Sequence, residues 1–232
     1  MTENTDKGHL HPLTIVIRDI YIIFAELGFS VALGPELETE YYNFDALNIP
    51  ANHPARSMQD TFWIKDTERK VLRTQTSPVQ IRFMETHKPP FKMIAPGRVF
   101  RNEATDSTHE VQFFQVEGLA IDKKISMAEL KGTLEYFFKK LLGHDVQLRF
   151  RPSFFPFTEP SVEVDIFFRG KWLEVMGAGM VHPKVLETGG IDPQKWRGFA
   201  FGVGIDRLAM IKYGIDDVRR FYNGDLRLVN QF

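Results

Sequence analysis

Residues 93–121 read MIAPGRVFRNEATDSTHEVQFFQVEGLAI, and they consist of two apolar segments separated by a polar loop. The segments 93–101 and 111–121 predict two strands, because short apolar runs bounded by polar residues are typical of strands. The loop 102–110 between them carries charged and hydroxyl side chains. The pair therefore predicts an antiparallel hairpin at the centre of the chain.

Helices are predicted on both sides of this pair. Apolar residues at helical spacing predict a helix over 12–27, with Pro12 in its first turn and Gly28 at its end. The same spacing predicts a helix over 127–142, which Gly143 ends. Further helices are predicted at 78–87, at 205–212, near 215–221, and from Glu36, Glu38 and Glu40 onward.

The remaining segments predict strands and one long loop. A loop is predicted over 48–60, followed by strands at 61–65 and 71–74. Four more strands are predicted at 146–151, 162–168, 172–176 and 199–204, with Arg169-Gly170 as a tight turn. Antiparallel hairpins interleaved with unevenly spaced helices predict an α+β fold rather than a doubly wound parallel sheet.

Composition excludes several classes of protein. The 232 residues, 43% hydrophobic and 25% charged, suit one folded unit and exclude disordered, collagen-like and coiled-coil chains. The net charge of -1 gives no electrostatic basis for binding a polyanion unaided. Cysteine is absent, which excludes disulfides, thiolate metal sites and a cysteine nucleophile. With no signal-peptide pattern and no long apolar run, we expect a cytoplasmic protein.

The second central segment carries a chemically active row of side chains. Phe113, Gln115 and Glu117 alternate onto one face of the predicted strand. Arg101, at the end of the first segment, suits a phosphate or carboxylate, Glu117 suits an ammonium group, and Phe113 suits a heterocycle. The alternative is an ordinary solvated strand face, since exposed charged residues are the rule.

A second candidate ligand-binding segment is Gly202-Val203-Gly204-Ile205-Asp206-Arg207, at a predicted strand-to-helix junction. It lacks the third glycine and the later acidic residue of the dinucleotide-binding fingerprint, which excludes a Rossmann site. The remaining hypothesis is a backbone that a ligand approaches closely, with Arg207 available to a polyphosphate. A packing glycine pair beside a surface arginine is an equally common explanation.

The two segments together resemble the second and third signature motifs of class II aminoacyl-tRNA synthetases. The first motif is similar to Gly28-Phe29-x-x-Ala32-x-x-Pro35. Five further segments resemble the α subunit of bacterial phenylalanyl-tRNA synthetase. They are His53-Pro54-Ala55-Arg56, Leu72-Arg73-Thr74-Gln75-Thr76-Ser77, Pro96-Gly97-Arg98-Val99-Phe100-Arg101-Asn102-Glu103, Phe155-Pro156-Phe157-Thr158-Glu159-Pro160 and Gly177-Ala178-Gly179-Met180-Val181-His182-Pro183.

The resemblance implies a fold and an activity. The fold is the class II catalytic fold, an antiparallel sheet flanked by helices, over residues 9–232, with 1–8 as a flexible N-terminal segment. The activity is formation of phenylalanyl-adenylate from phenylalanine and ATP with Mg²⁺, followed by transfer to tRNA(Phe). Family members work as α2β2 assemblies with an editing β subunit. They usually carry an N-terminal coiled coil, which has no counterpart in residues 1–8.

The resemblance also assigns residues to roles. Arg101, His109 and Arg207 are the implied catalytic residues. The implied ATP-binding residues are Arg101, Glu103, His109, Phe113, Gly202, Gly204 and Arg207. The implied phenylalanine-binding residues are Thr76, Ser77, Gln115, Glu117, Phe155, Phe157, Thr158, Ala200 and Gly202. Gln75 is a departure, because some relatives have histidine at this position.

A magnesium site is predicted from strand pairing. If Arg169-Gly170 forms a two-residue turn, Asp165 lies directly opposite Glu174. Facing carboxylates repel each other unless a cation or a proton intervenes. Magnesium bridging to the ATP phosphates suits such a pair, because it prefers hard oxygen ligands.

Two other functions remain open from sequence alone. One is a non-catalytic relative that binds an adenylate-like ligand or a protein partner as a regulator. The complete phosphate-binding set of Arg101, Glu103, His109 and Arg207 argues against it, because binding alone does not require that set. The other is a biosynthetic ligase that activates a different acid, which the predicted benzyl pocket opposes.

Overall fold

The computed structural model describes residues 8–56, 60–65, 69–168 and 170–232. Among these residues, a seven-stranded sheet has the order β1-β4-β5-β9-β8-β7-β6, and a small separate sheet pairs β2 with β3. The strands are β1 Ser30–Val31, β2 Leu37–Thr39, β3 Lys70–Leu72, β4 Phe91–Phe100, β5 Gln112–Asp122, β6 Gln147–Phe155, β7 Thr158–Phe168, β8 Lys171–Val181 and β9 Arg197–Gly204. All pairs are antiparallel except β1 with β4, which confirms the α+β prediction.

The described α-helices are α1 Pro12–Glu26, α2 Glu40–Asn43, α3 Ser77–Thr86, α4 Met127–Leu142, α5 Pro183–Thr188, α6 Ile205–Tyr213 and α7 Leu226–Val229. The bounds of α1, α3, α4 and α6 lie within one residue of the predicted ones, whereas α5 and α7 were not predicted. Short 3-10 helices are Asp45–Leu47, Pro54–Arg56 and Val218–Phe221, so the last predicted helix, near 215–221, is a single 3-10 turn. In the part of the chain described, no helix combines the length and apolar character that crossing a bilayer requires.

The main hydrophobic core covers one face of the large sheet. Helices α1, α4 and α6 pack there, and the ring of Phe24 stacks on Phe137 and Phe201 at 4.9 and 5.3 Å. Gly118 on β5 leaves room for this packing, because a Cβ atom there would lie 2.1 Å from the Phe201 ring. A larger side chain at position 118 would therefore collide with the Phe201 ring and disturb the packing of the helices on this face.

A second core lies on the opposite face, around Phe44, Leu119, Ile121 and Ile191. Helices α3 and α5 and the segment 44–49 contribute to it. Because side chains alternate along a strand, Phe113, Gln115 and Glu117 share this face with Leu119 and Ile121. This second face therefore holds both the smaller core and the row predicted to bind ligand.

One predicted helix is wrong. Residues 37–39 form β2, which pairs with β3, and α2 begins only at Glu40, with the Thr39 hydroxyl as its N-cap. The side chain of Glu38 is buried and accepts two hydrogen bonds from Arg82, at 2.9 and 2.7 Å. This tertiary ion pair, which local sequence does not reveal, holds the segment extended.

The strands around the predicted loop 48–60 are shorter than expected. The predicted strand 61–65 reduces to a single bridge between Trp63 and Val71, and its partner is Lys70–Leu72 rather than 71–74. Residues 57–59 of the loop and Arg169 of the predicted turn lie outside the described residues. In contrast, β6 and β8 extend beyond their predicted ends, to Phe155 and Val181, and β7 ends at Phe168 as predicted but begins earlier, at Thr158.

Candidate active site

A cavity of about 380 Å³ opens on the second face of the sheet. It brings together residues from four predicted motifs that lie far apart in the chain. The predicted site residues that line it are Ser77, Arg101, Phe113, Gln115, Glu117, Phe155, Phe157, Thr158, Glu174, Ala200, Gly202 and Gly204. One end of this cavity is polar and the other is apolar.

Glycines form part of the cavity floor. Across three neighbouring strands, Glu117 pairs with Gly202, and Gly202 pairs with Gly177. A Cβ atom at Gly202 would lie 2.9 Å from Cγ of Glu117, and one at Gly177 would lie 2.9 Å from the Phe155 ring. The absence of side chains at Gly202 and Gly177 therefore makes room for the Glu117 side chain and the Phe155 ring in the cavity wall.

Glu117 is the centre of a buried hydrogen-bond network at the polar end. Its Oε1 accepts from the backbone N–H of Thr76 at 3.1 Å. Its Oε2 accepts from the Ser77 hydroxyl at 2.5 Å and from the Gln80 amide at 2.7 Å. Burial raises the pKa of Glu117, and the hydrogen bonds from α3 oppose that rise. A cationic ligand group beside this carboxylate would compensate for its lost hydration.

Gln115 supplies an acceptor at the same end of the cavity. Its Oε1 atom is buried and has no hydrogen-bond partner within the described residues. A buried polar atom without a partner costs about 1–3 kcal/mol, and a ligand donor would remove that cost. The Thr76 hydroxyl is also buried and without a partner in the described chain, but Thr76 meets the network through its backbone and does not line the cavity.

Arg101 and Phe113 stand together where β4 ends and β5 begins. The guanidinium carbon of Arg101 lies 5.1 Å from the centre of the Phe113 ring, and its Nε donates to the Thr74 carbonyl at 3.3 Å. A cation over an aromatic face is favourable, and the ring offers a flat apolar surface beside a positive charge. This pair suits a planar base attached to phosphate.

The apolar end is built around two phenylalanine rings. The rings of Phe155 and Phe157 are parallel to within 6°, with centroids 5.8 Å apart. Further apolar lining comes from Leu47, Ala178, Val181, Val185 and Ala200. The cavity therefore joins charged and amide groups to a hydrocarbon and aromatic compartment.

Comparison with known proteins identifies the family. The family model described as tRNA synthetases class II core domain (F) matches residues 1–232. The phenylalanine–tRNA ligase alpha subunit of Bacillus subtilis is 55% identical over 239 residues, covering 97% of this chain and 69% of that protein. The alpha subunits of Synechocystis sp. and Edwardsiella ictaluri are 56% identical over 226 residues and 58% identical over 228 residues; the matches cover 97% and 98% of this chain and 68% and 69% of those proteins.

The chain belongs to the phenylalanine–tRNA ligase alpha-subunit family. A solved structure supports the fold independently. The pyrrolysyl-tRNA synthetase of Desulfitobacterium hafniense superposes with a TM-score of 0.73, covering 95% of this chain and 76% of that one, at 16% identity. At that identity the similarity speaks for the class II fold alone.

Three residues expected to bind ATP in this phenylalanine–tRNA ligase family member do not line the cavity. Glu103 and His109 lie on the exposed loop between β4 and β5, where His109 Nδ1 is 3.1 Å from both carboxylate oxygens of Asp106. Arg207 lies in the first turn of α6. A Cβ atom added at the cavity-lining Gly204 would be 3.8 Å from Cβ of Arg207, which puts this arginine next to the cavity.

The predicted pairing of Asp165 with Glu174 is present in the alpha-subunit fold. However, Arg151 of β6 donates to both carboxylates, at 2.7 and 2.9 Å, and Arg149 donates to Asp165 at 2.6 Å. These arginines lower the pKa of Asp165. The cation between the two carboxylates is therefore a guanidinium, and the repulsion that motivated the magnesium prediction is absent.

Several residues that line the cavity were not predicted from sequence as site residues, among them Leu47, Gln80, Val181 and Val185. Gln80 follows Ser77 by three positions on α3, a spacing that puts both side chains on one helix face and offered a signal. Leu47, Val181 and Val185 reach the cavity from a 3-10 helix, a strand end and a short helix. No local pattern marks Leu47 and Val185, because each is an ordinary core residue by type, and Val181 lies in the family-like segment 177–183 without a predicted role.

Asp206 joins the motif that carries Arg207 to the strand that carries Phe113. Its carboxylate accepts from the Phe114 backbone N–H at 2.8 Å and from the Tyr222 hydroxyl. Burial raises the pKa of Asp206 from 3.8 to about 6, while both hydrogen bonds favour the ionised form. This residue therefore fixes the first turn of α6 against β5.

The raised pKa of Asp206 makes stability dependent on pH. The folded chain binds this proton more tightly than the unfolded chain, so the contribution is complete below pH 3.8 and is lost as pH rises through about 6. We expect that loss to be on the order of 3 kcal/mol of unfolding free energy. Asp206→Asn should abolish it, as measured by urea unfolding across this range. Parallel pH profiles for the two proteins would contradict the assignment.

Proposed function

We propose that this chain activates phenylalanine with ATP to phenylalanyl-adenylate and transfers the phenylalanyl group to tRNA(Phe). It does so as the catalytic α chain of a phenylalanine–tRNA ligase. The observation that supports this most directly is one cavity with polar groups at one end and two stacked phenylalanine rings at the other. The polar groups are a buried carboxylate and an amide oxygen that has no hydrogen-bond partner among the described residues. A zwitterion with a benzyl side chain matches both ends.

In this proposal, phenylalanine spans both ends of the cavity. Its ammonium group donates to Gln115 Oε1 and lies beside the Glu117 carboxylate, with Thr76 and Ser77 holding that carboxylate in place. Its ring contacts Phe155 and Phe157, each contact adding about 0.5–1.5 kcal/mol beyond burial. Thr158, Ala200 and Gly202 border the same space. The small Ala200 side chain leaves room for the far edge of the ring.

The nucleotide occupies the arginine end. Arg101 contacts the α-phosphate and the substrate carboxylate, Phe113 stacks on adenine, and Gly202 and Gly204 let the ligand lie against the backbone. Glu103 contacts the adenine amino group, and His109 and Arg207 contact the outer phosphates. These last three roles rest on family resemblance, together with the position of Arg207 beside Gly204.

The reaction needs alignment and charge more than proton transfer. A carboxylate oxygen of phenylalanine forms a bond to the α-phosphorus of ATP as the bond to the bridging oxygen breaks and pyrophosphate leaves. Negative charge on the nonbridging oxygens is stabilised by positioned cations, for which Arg101 is the cavity-lining candidate. No nucleophilic side chain or general base is required, because the attacking carboxylate is already ionised.

Magnesium enters only as the ion that accompanies ATP. The described residues contain no cluster of three side chains suited to a metal, and Asp165 is occupied by two arginines. Asp165 and Glu174 therefore do not fit a magnesium site as a pair. Magnesium more often binds through substrate phosphates with one or two carboxylates, and no step of the reaction is assigned to it.

The partners follow from the same proposal. They are ATP, phenylalanine, tRNA(Phe) and a β subunit in an α2β2 assembly, acting in the cytoplasm. The near-zero net charge of this chain fits a catalytic chain that shares its tRNA with other surfaces.

The test is phenylalanine-dependent exchange of pyrophosphate into ATP, measured with the β subunit present. Exchange with phenylalanine supports the proposal. Tight binding of an adenylate analogue without exchange would instead indicate a non-catalytic binding protein. Exchange driven only by another acid would indicate a different ligase.

The apolar end of the cavity predicts incomplete discrimination against tyrosine. An apolar pocket rejects an added hydroxyl only by roughly 100-fold, so tyrosine should support exchange at about that reduced efficiency. The measurement is the ratio of kcat/KM values for the two amino acids in adenylate formation. Correction of the error would then fall to the β subunit. A ratio of phenylalanine to tyrosine well above about 10⁴ would contradict this prediction, because an apolar pocket alone does not reject an added hydroxyl so strongly.

A further inference from the structure

We propose that Asn48 is a positioning residue for phenylalanine binding, a role that rests on the proposed function. Its side-chain amide donates to the carbonyl oxygen of Pro156 at 2.7 Å. Pro156 lies between Phe155 and Phe157, the two rings of the apolar end. This hydrogen bond fastens the aromatic turn to a loop 108 residues earlier in the chain, which forms another wall of the same cavity.

The loop side of this contact has an unusual backbone. The 3-10 helix Asp45–Leu47 ends at Asn48, whose φ of 58° and ψ of 24° lie in the left-handed region. Asparagine enters that region more readily than most residues, so it suits a position that needs both this conformation and an amide donor. The preceding residue, Leu47, is buried and lines the cavity. Two consecutive residues of the loop therefore act on the cavity: Leu47 lines it, and Asn48 donates a hydrogen bond to the aromatic turn.

The loop is itself held firmly from behind. The guanidinium of Arg56 donates to the Asp45 carboxylate at 2.7 Å and to the Ile49 carbonyl, and it lies 5.0 Å from the centre of the Phe44 ring. Arg56 therefore fixes the chain both before Leu47, at Asp45, and after Asn48, at Ile49. A donor on a fixed base can hold the turn, whereas a donor on a mobile loop would move with it.

The turn side is fastened at three points. The Phe155 N–H donates to the Ser161 hydroxyl at 3.1 Å, and the Phe157 carbonyl accepts from the His182 N–H at 3.0 Å. The Pro156 carbonyl accepts from Asn48. Of these three bonds, the one from Asn48 connects the turn to the loop whose Leu47 lines the cavity. Its loss would leave the spacing between the two rings and Leu47 less well defined, and this weakens the contact with a bound benzyl group.

The decisive variant is Asn48→Gly. Glycine adopts the left-handed conformation without strain, so this change removes the amide and keeps the loop backbone. We expect the KM for phenylalanine in exchange to rise about tenfold, the value of one ordinary hydrogen bond. The KM for ATP and the kcat at saturating phenylalanine should change less than about twofold, because the arginine end is untouched. Discrimination against tyrosine should also weaken.

Two further variants test the hydrogen bond and control for the change to glycine. Asn48→Asp keeps the side-chain shape but sets a carboxylate oxygen against the Pro156 carbonyl, and it should raise the KM for phenylalanine at least as much as the glycine variant. Asn230→Gly, at an exposed position after α7, is the matched control for an asparagine-to-glycine change and should leave all constants unchanged.

The outcomes separate this inference from the function on which it rests. Absence of phenylalanine-dependent exchange in the unsubstituted α2β2 protein would contradict the proposed function. If the unsubstituted protein is active, an unchanged KM for phenylalanine in N48G overturns the positioning role. Equal losses in both KM values and kcat, together with a lower Tm, overturn it as well, because they indicate a general structural role. If exchange is absent throughout, a crystal structure of N48G decides, and an unmoved turn 155–158 overturns the inference.

Discussion

Replacing Arg101 with alanine is expected to lower kcat/KM for phenylalanine-dependent exchange by about 10²–10³-fold, the range for loss of one positioned charge-stabilising donor. Arg101 lines the cavity at the end of β4, and its guanidinium carbon lies 5.1 Å from the centre of the Phe113 ring. No other arginine or lysine lines the cavity within the described chain. The loss should appear in kcat, because charge at the α-phosphate develops in the transition state.

Two variants make this result specific. Arg101→Lys keeps a positive charge but not the planar fork that binds two oxygens at once, so it should recover only part of the activity. Arg98→Ala is the matched control: Arg98 lies on the same strand, but its guanidinium pairs with Glu36 at 2.8 Å and does not line the cavity. Equal losses for Arg98→Ala and Arg101→Ala would remove Arg101 from the proposed chemistry.

Replacing Glu117 with alanine is expected to lower kcat/KM for phenylalanine by about 10²–10³-fold, the range for removing one partner of a buried charge pair. The bound ammonium group would lose its counter-charge. The Ser77 hydroxyl and the Gln80 amide, which now donate to Glu117, would lose their acceptor. Calorimetric titration with phenylalanine should show the loss directly, while the affinity for ATP stays within a few fold.

Glu117→Gln separates charge from shape. This variant keeps the side-chain volume and one carbonyl oxygen, so it preserves the contact with the Thr76 N–H, which now measures 3.1 Å. If the ammonium group is recognised by charge, phenylalanine binding should remain weak in E117Q although the fold is intact by circular dichroism. Wild-type affinity in E117Q would instead show that Glu117 serves only to hold the start of α3.

The fold was largely predictable because its signals are local. Helices α1 and α4 carry apolar residues at helical spacing over several turns, and the described bounds differ from the predicted ones by no more than one residue. The β5 strand carries an alternating pattern that put Phe113, Gln115 and Glu117 on one face, as observed in the cavity lining. In each case, residues a few positions apart contain the whole signal.

The structure departs from the sequence-based reasoning where a distant partner overrides local preference. Three glutamates near the start of a segment indicated a helix, but Glu38 is buried against Arg82 and its segment pairs with β3. The facing carboxylates of Asp165 and Glu174 indicated a metal, but Arg151 on the adjacent strand lies between them. The pairing was predictable from turn geometry, whereas the third strand was not.

The amino-acid sequence alone determined the α+β class, the family and most side chains of the cavity, since periodicity and motif order are properties of neighbouring residues. Only the tertiary structure decided that Leu47 and Val185 share that cavity with them, and that the Asn48 amide donates to the Pro156 carbonyl. It also decided that Glu103 and His109 stand outside it on an exposed loop. The physical reason is that these arrangements depend on contacts across several strands and up to 108 positions in the chain. Such contacts arise from packing and leave no mark on local spacing.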